Sequence, residues 1–303
     1  MSIIKIRGLE KKFNGFKAVS GLDLDVKEGE IYGFLGPNGA GKTTTIRIMI
    51  GLMKGEKGTI EIDGYDVKKK GKKVRQRLGY LPEKVSFYGN LTVSENLEFL
   101  CEVKGCSKSE IDRILKDFKF EEQRSKKCKH LSKGMTQRLG IAQTLIGKPD
   151  LLILDEPTAG LDPNIRRWIK DKILSLKDKG KTIFLSSHVL SEVQELCDRV
   201  GILNEGSMLA EDDVETLGDK LSLKDRLELR FEPLDKGLEI VNNLDYVERA
   251  RVEDSKLVLY CSAEKKMSVI RKFLDEGMEI TNFSVKEPDL EEVFVRLTAG
   301  DGR

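Results

Sequence analysis

The residues with the clearest chemistry lie at Gly36-Pro37-Asn38-Gly39-Ala40-Gly41-Lys42-Thr43, which matches G-x-x-x-x-G-K-[ST]. Glycines there let the backbone turn tightly and bring successive N–H groups against phosphate oxygens. Lys42 reaches terminal phosphates as a point charge, and the Thr43 hydroxyl suits Mg²⁺. Asp155-Glu156, two carboxylates, end the apolar run Leu151-Leu152-Ile153-Leu154. His188 follows a second apolar run, Thr182 to Leu185, through Ser186-Ser187. Such groups at the ends of buried strands lie where open α/β sheets hold ligands. Together they read as one nucleoside triphosphate site.

The elements that must position these groups are legible nearby. Ile31 to Leu35 reads as a strand entering the glycine loop, and Thr44 to Ile50 as a helix leaving it, positive dipole end toward the phosphates. Ile3–Arg7 and Leu22–Val26 alternate as strands, with a loop at 11–16 holding Phe13 and Phe16. Strands are expected at 58–63 and 78–82. Capping boxes at Thr92/Glu95 and Ser107/Glu110 predict helices over 93–103 and 108–119. Ser132 caps a helix that follows it, and Asp162 caps another, opened by Pro163 and closed by Gly180. Lys68 to Arg77 holds seven Lys or Arg residues in ten positions. Such a run can touch nucleic acid or lipid headgroups but is more often a solvated helix face, and it reads as one. Beyond residue 220 the expected order is strand 227–231, helix 238–242, strands 246–252 and 256–261, helix 267–274 and strand 280–285. That is a ferredoxin-like βαββαβ unit, and a short helix over 289–297 follows it.

Bulk properties narrow the classes. Lys plus Arg is 53 against 51 Asp plus Glu, a net of +2, so no global charge draws the chain to nucleic acid. Charged residues make up 34%, above the usual value of about 25%, which fits a heat-tolerant source. The five cysteines and two histidines have no zinc spacing. Without a secretory leader, an odd cysteine count fits reduced cytosolic thiols. No apolar run reaches the roughly 18 residues of a membrane span.

Over residues 2–215 the motifs resemble the ATP-binding subunit of an ABC transporter. Lys42 and Thr43 match Walker A, and Leu151 to Glu156 match Walker B. Leu131-Ser132-Lys133-Gly134-Met135 is similar to the signature LSGGQ, Ala159-Gly160-Leu161-Asp162 to the D-loop, and His188 to the switch histidine. The resemblance implies an α/β P-loop NTPase core with an antiparallel β part and a helical subdomain. Residues 1–218 would form the ATPase domain, with the helical subdomain near 84–148, and 219–303 a small α+β accessory domain. It implies ATP and Mg²⁺ as ligands. Phe13 would stack on adenine, and Gly36, Pro37, Asn38, Gly39, Ala40, Gly41, Lys42, Thr43 and Thr44 would cradle the phosphates. Thr43, Asp155 and Glu83 would serve the metal, and Glu156 would act as general base beside His188 and Lys42. Ser132, Gly134 and Asp162 would meet the nucleotide of a second copy, in a head-to-tail homodimer or pseudo-symmetric heterodimer. An integral-membrane permease would be the partner, with the chain peripheral on the cytoplasmic face.

Two departures stand out. Glu83 occupies the place after Leu81-Pro82 where the family generally has Gln, and Lys133 and Met135 replace Gly and Gln of the signature. Both, with the ending Glu287-Pro288-Asp289-Leu290-Glu291-Glu292-Val293-Phe294, resemble export-type subunits. The rival class is a non-transport ABC ATPase acting on nucleic acid or the ribosome. Only about ninety residues separate Walker A from the signature, with no sustained heptads, and no zinc module or second ATPase domain is present. No nucleic-acid partner is therefore expected.

Overall fold

Strands β1 (Ser2–Phe13) and β2 (Phe16–Lys27) form a long antiparallel hairpin around Asn14-Gly15, whose φ angles are 47° and 88°. Positive φ at both turn residues matches the right-handed twist of the flanking strands, and Asn-Gly adopts it readily. The loop expected at 11–16 is thus a two-residue turn, with Phe13 opposite Phe16. The computed structural model describes residues 1–217, 224–286 and 294, and the chain divides into two compact units, Met1–Asp212 and Asp213–Arg303.

In the first unit β3 (Ile31–Leu35) leads into helix α1 (Lys42–Met49). Then come β4 (Lys57–Ile62), β5 (Tyr65–Asp66), α2 (Val67–Arg77) and β6 (Leu78–Leu81). Helices α3 (Val93–Lys104), α4 (Ser109–Asp117) and α5 (Lys133–Thr144) follow. The unit continues with β7 (Leu151–Asp155), α6 (Pro163–Asp178), β8 (Thr182–Ser187), α7 (Leu190–Leu196), β9 (Arg199–Asn204) and β10 (Ser207–Asp213).

Two sheets result. One has the order β2-β1-β4-β5 and the other β10-β9-β3-β8-β7-β6. The alternating residues Ile4, Ile6, Leu24 and Val26 of the first sheet pack with Phe34, Ile46 and Met49 in one apolar core. Each such side chain contributes about 1.5–3 kcal/mol on burial. In the second sheet β3, β7 and β8 are buried at every residue, which explains their continuous apolar runs. These three strands are parallel neighbours, so Leu35, Asp155 and Ser187 end side by side.

Local signals held where no tertiary partner competed. Thr92 and Glu95 form the full capping box, with Thr92 N donating to Glu95 at 2.7 Å and Glu95 N to Thr92 at 3.2 Å. The Ser107/Glu110 box does not form. Helix α4 starts from Lys108 without a side-chain cap, because Glu110 turns inward to accept the Gly147 N–H at 2.7 Å. Asp162 holds the cap position of α6 with extended backbone, but its side chain makes no capping bond.

In the second unit β11 (Asp225–Arg230), α8 (Leu234–Asn242), β12 (Val247–Glu253), β13 (Lys256–Cys261), α9 (Lys266–Asp275) and β14 (Asn282–Lys286) occur in the expected order. Their sheet, β12-β13-β11-β14, is antiparallel throughout. The expected helix over 289–297 lies outside the described residues.

Candidate functional site

The carboxyl ends of β3, β7 and β8 open into a cleft of about 530 Å³, lined by Phe13, Phe16, Gly39, Lys42, Thr43, Glu83, Glu156 and His188 among others. Its floor is the loop between β3 and α1. Gly41, which starts α1, has φ 104°, and a Cβ there would lie 2.3 Å from the Ala18 carbonyl oxygen. Only glycine fits both the backbone angle and that approach of β2. At Gly36 a Cβ would lie 2.4 Å from the Leu203 carbonyl oxygen. The first turn of α1 carries no acidic side chain of its own, and Lys42, Thr43 and Thr44 put this positive helix end on the cleft lining.

Lys42 is the buried cation of the loop. Its Nζ donates to the Gly36 carbonyl at 2.5 Å and the Pro37 carbonyl at 3.2 Å, and lies 3.4 Å from Glu156 Oε1. The other Glu156 oxygen is 2.8 Å from His188 Nδ1. Glu156 has φ 50°, unusual outside glycine, and its N–H is held by Ser186 Oγ at 3.1 Å. Ser186 Oγ also donates to Asp155 Oδ1 at 2.6 Å, and Thr43 Oγ1 reaches that oxygen at 3.4 Å. Among the described residues Asp155 Oδ2 is buried without a partner. Burial pushes the Asp155 carboxyl above its usual pKa. Bonds from Ser186 and Thr43 oppose that shift, while Glu156 and Glu83 add to it.

The aromatic wall comes from the β1–β2 turn. Phe13 is 43% exposed and Phe16 61%, enough free ring surface for a planar ligand to stack on. The Lys11 ammonium stands 5.0 Å from the Phe13 centroid.

Three expected site residues lie away from this cleft. Ser132 is exposed and caps α5, accepting the Met135 N–H at 3.2 Å. Gly134 packs against Ile165, where a Cβ would come within 3.0 Å of Cγ1. Asp162 is exposed at the start of α6. The signature is nevertheless tied to the loop after Glu156. Lys133 Nζ donates to the Gly160 carbonyl at 2.5 Å, and the buried Gln137 amide donates to the Pro157 carbonyl at 2.8 Å. Arg138 anchors the same helix, 4.5 Å from the Trp168 centroid.

Sequence reasoning missed Gln137 and Ser186, and of the two aromatics in the 11–16 loop it assigned only Phe13 to the site, whereas both line the cleft. Ser186 carried a signal, being two residues before His188 on a strand parallel to the one ending in Asp155. Gln137 carried none, since its partner is a backbone carbonyl twenty residues away.

Known proteins repeat both the pattern and the architecture. The ABC transporter family profile matches residues 19–159, and the profile of the C-terminal domain of DrrA1-3-like ATP-binding proteins matches 220–298. A bacitracin transport ATP-binding protein of Bacillus licheniformis is 39% identical over 99% of this chain and 98% of its own length. The chain belongs to the ABC transporter ATP-binding family. A linearmycin resistance ATP-binding protein of Bacillus subtilis is 32% identical, with 98% of both chains covered. Among solved structures, the ATP-binding subunit of an ABC transporter superposes with a TM-score of 0.68 at 31% identity, over 73% of this chain and 94% of that one. The dimeric post-hydrolysis state of an ATP-binding cassette bound to ADP and Pi gives a TM-score of 0.64 at 26% identity, over 69% and 98%. This ABC subunit therefore binds ATP and hydrolyses it to power transport. Among the described residues no helix is long and apolar enough to cross a membrane.

Proposed function

We propose that the chain drives export through a separate integral-membrane permease, as a pair of ATPase subunits seated on the inner face of the membrane. The observation that carries export is the match over the whole length, accessory unit included, to proteins named for bacitracin transport and linearmycin resistance. Residues 1–218 are assigned to the ATPase domain and 219–303 to the accessory domain.

Each residue then has a task. Phe13 stacks on the adenine, with Phe16 beside it. The loop from Gly36 to Thr44 cradles the phosphates through its N–H groups, and Lys42 holds the γ-phosphate. Glu156 orients the attacking water and accepts its proton. His188, 2.8 Å from that carboxylate, steadies it and the γ-phosphate. Ser132 and Gly134, lying outside the cleft of their own chain, meet the nucleotide of the second copy, with Asp162 beside them. The dimeric cassette bound to ADP and Pi supports that pairing.

The unpartnered Asp155 Oδ2, with Thr43 close to Oδ1, fits a hard divalent cation held by few protein oxygens. Thr43 and Asp155 would hold Mg²⁺, and Glu83, which lines the same cleft, would serve it as a further carboxylate. When bound, the cation offsets charge on the β- and γ-phosphate oxygens.

The test is to express the chain with the membrane protein encoded beside it and assay ATP-dependent transport in inverted membrane vesicles. Co-purification and ATP-driven uptake into those vesicles support export. A chain that binds RNA or DNA instead of the membrane protein refutes it.

A further inference from the structure

Helix α2 carries a cationic run that the nucleotide site does not use. Lys68, Lys69, Lys70, Lys72, Lys73, Arg75 and Arg77 are all exposed, although the whole chain has a net charge of only +2. Few carboxylates answer them. Lys69 lies 4.0 Å from Asp66, and Arg77 lies 3.0 Å from Asp63. Among the described residues no carboxylate pairs with Lys68, Lys70, Lys72 or Lys73. Lys70, Lys73 and Arg77 gather around one ring, 5.3, 5.9 and 5.5 Å from the Tyr65 centroid. Lys70 departs from helical geometry, with φ −128° and ψ 30°, and kinks the helix there.

A second cavity, about 360 Å³, opens beside the first turn of this helix. Its floor is apolar: Leu9, Ile48, Met53, Ile60 and Val67. Lys54, Lys68 and Lys69 stand on its rim. The Asp66 carboxylate also borders it, but accepts the Lys69 N–H at 3.0 Å. The volume falls within the usual range for small-molecule sites, and an apolar floor under a cationic rim is complementary to an anionic amphiphile.

We propose that α2 and this cavity form a docking site for anionic phospholipid at a membrane surface, lysines meeting headgroup phosphates and the cavity taking apolar chain. Lys70, Lys72 and Lys73 extend the positive charge well past the rim. One free amphiphile needs only the rim, whereas a lipid surface offers phosphates to the whole helix. A nucleic acid would leave the apolar floor unused. The site deepens the membrane location proposed above and rests on it.

The experiment uses the full chain and flotation with vesicles of phosphatidylcholine, alone or with a quarter phosphatidylglycerol. Binding to the phosphatidylglycerol vesicles is expected, weakening as salt rises. Replacing Lys68, Lys70, Lys72 and Lys73 with Gln is expected to weaken it on the order of 10²-fold, with ATPase activity and melting temperature unchanged. Thr59→Trp, at an exposed position on the cavity wall, is expected to weaken it several-fold while leaving its salt dependence intact. Equal binding to both vesicle types overturns the proposal, as does undiminished binding in either variant. So does tighter binding to homopolymeric RNA, or saturation by soluble decyl phosphate with no vesicle binding. If vesicle binding fails while the chain still captures its permease and hydrolyses ATP, this inference falls and the transport reading stands.

Discussion

Glu156→Gln separates proton transfer from nucleotide binding. The amide keeps the shape of the carboxylate, so its oxygen can still accept from Lys42 or from His188, now 3.4 and 2.8 Å from the two carboxylate oxygens. Lys42 also keeps its two carbonyl acceptors, Gly36 and Pro37. Removing one partner of a buried ion pair costs about 3–5 kcal/mol when the other is stranded. Here the ammonium is not stranded, so the expected loss of stability is only about 1 kcal/mol. That corresponds to a fall of roughly 2–4 °C in melting temperature for a domain of this size. What the amide cannot do is accept the proton of the attacking water. Loss of general-base assistance is worth about 10²–10⁴ in rate, or roughly 2.7–5.5 kcal/mol of barrier. The assay pairs steady-state phosphate release with a thermal-shift titration in Mg-ATP. The variant should lose that rate while still rising by about 2.7 kcal/mol of apparent stability at a hundred times Kd. Turnover within tenfold of the parent would falsify the base assignment. Loss of the ATP-dependent shift would make Glu156 a binding residue instead.

Three further outcomes are expected. Asp155→Asn should raise the melting temperature of the nucleotide-free protein at neutral pH while abolishing Mg²⁺-stimulated hydrolysis. The folded carboxyl titrates above its unfolded value of about 3.9, so the parent loses stability as pH rises through the window between the two, and the variant does not. Parallel stability–pH curves for the two proteins would contradict this. Gly41→Ala should cost at least about 1–3 kcal/mol, measured by urea unfolding, and abolish ATP binding, because φ is 104° and the new Cβ meets the Ala18 carbonyl. Gln137→Ala should lower kcat about tenfold with KM nearly unchanged, since it frees the Pro157 carbonyl next to Glu156. A rise in KM with kcat intact would show that Gln137 acts on binding.

What the sequence determined by itself was the set of reacting groups and the strands that carry them. Gly36 to Thr43, Asp155-Glu156 and His188 each sit at the end of a short apolar run, and burial on both faces of a parallel sheet demands such runs. The βαββαβ order of the second unit was legible for the same reason, since period-2 and helical patterns are local properties of the chain. Only the tertiary structure decided what depends on partners distant along the chain. It placed β8 between β3 and β7, bringing His188 onto Glu156 and Ser186 onto Asp155. It drew Glu110 out of its capping box toward Gly147, and set Gln137 under Pro157. A buried polar group takes whichever partner the packed fold offers, because leaving it unpaired costs about 1–3 kcal/mol, and spacing along the chain does not encode that choice.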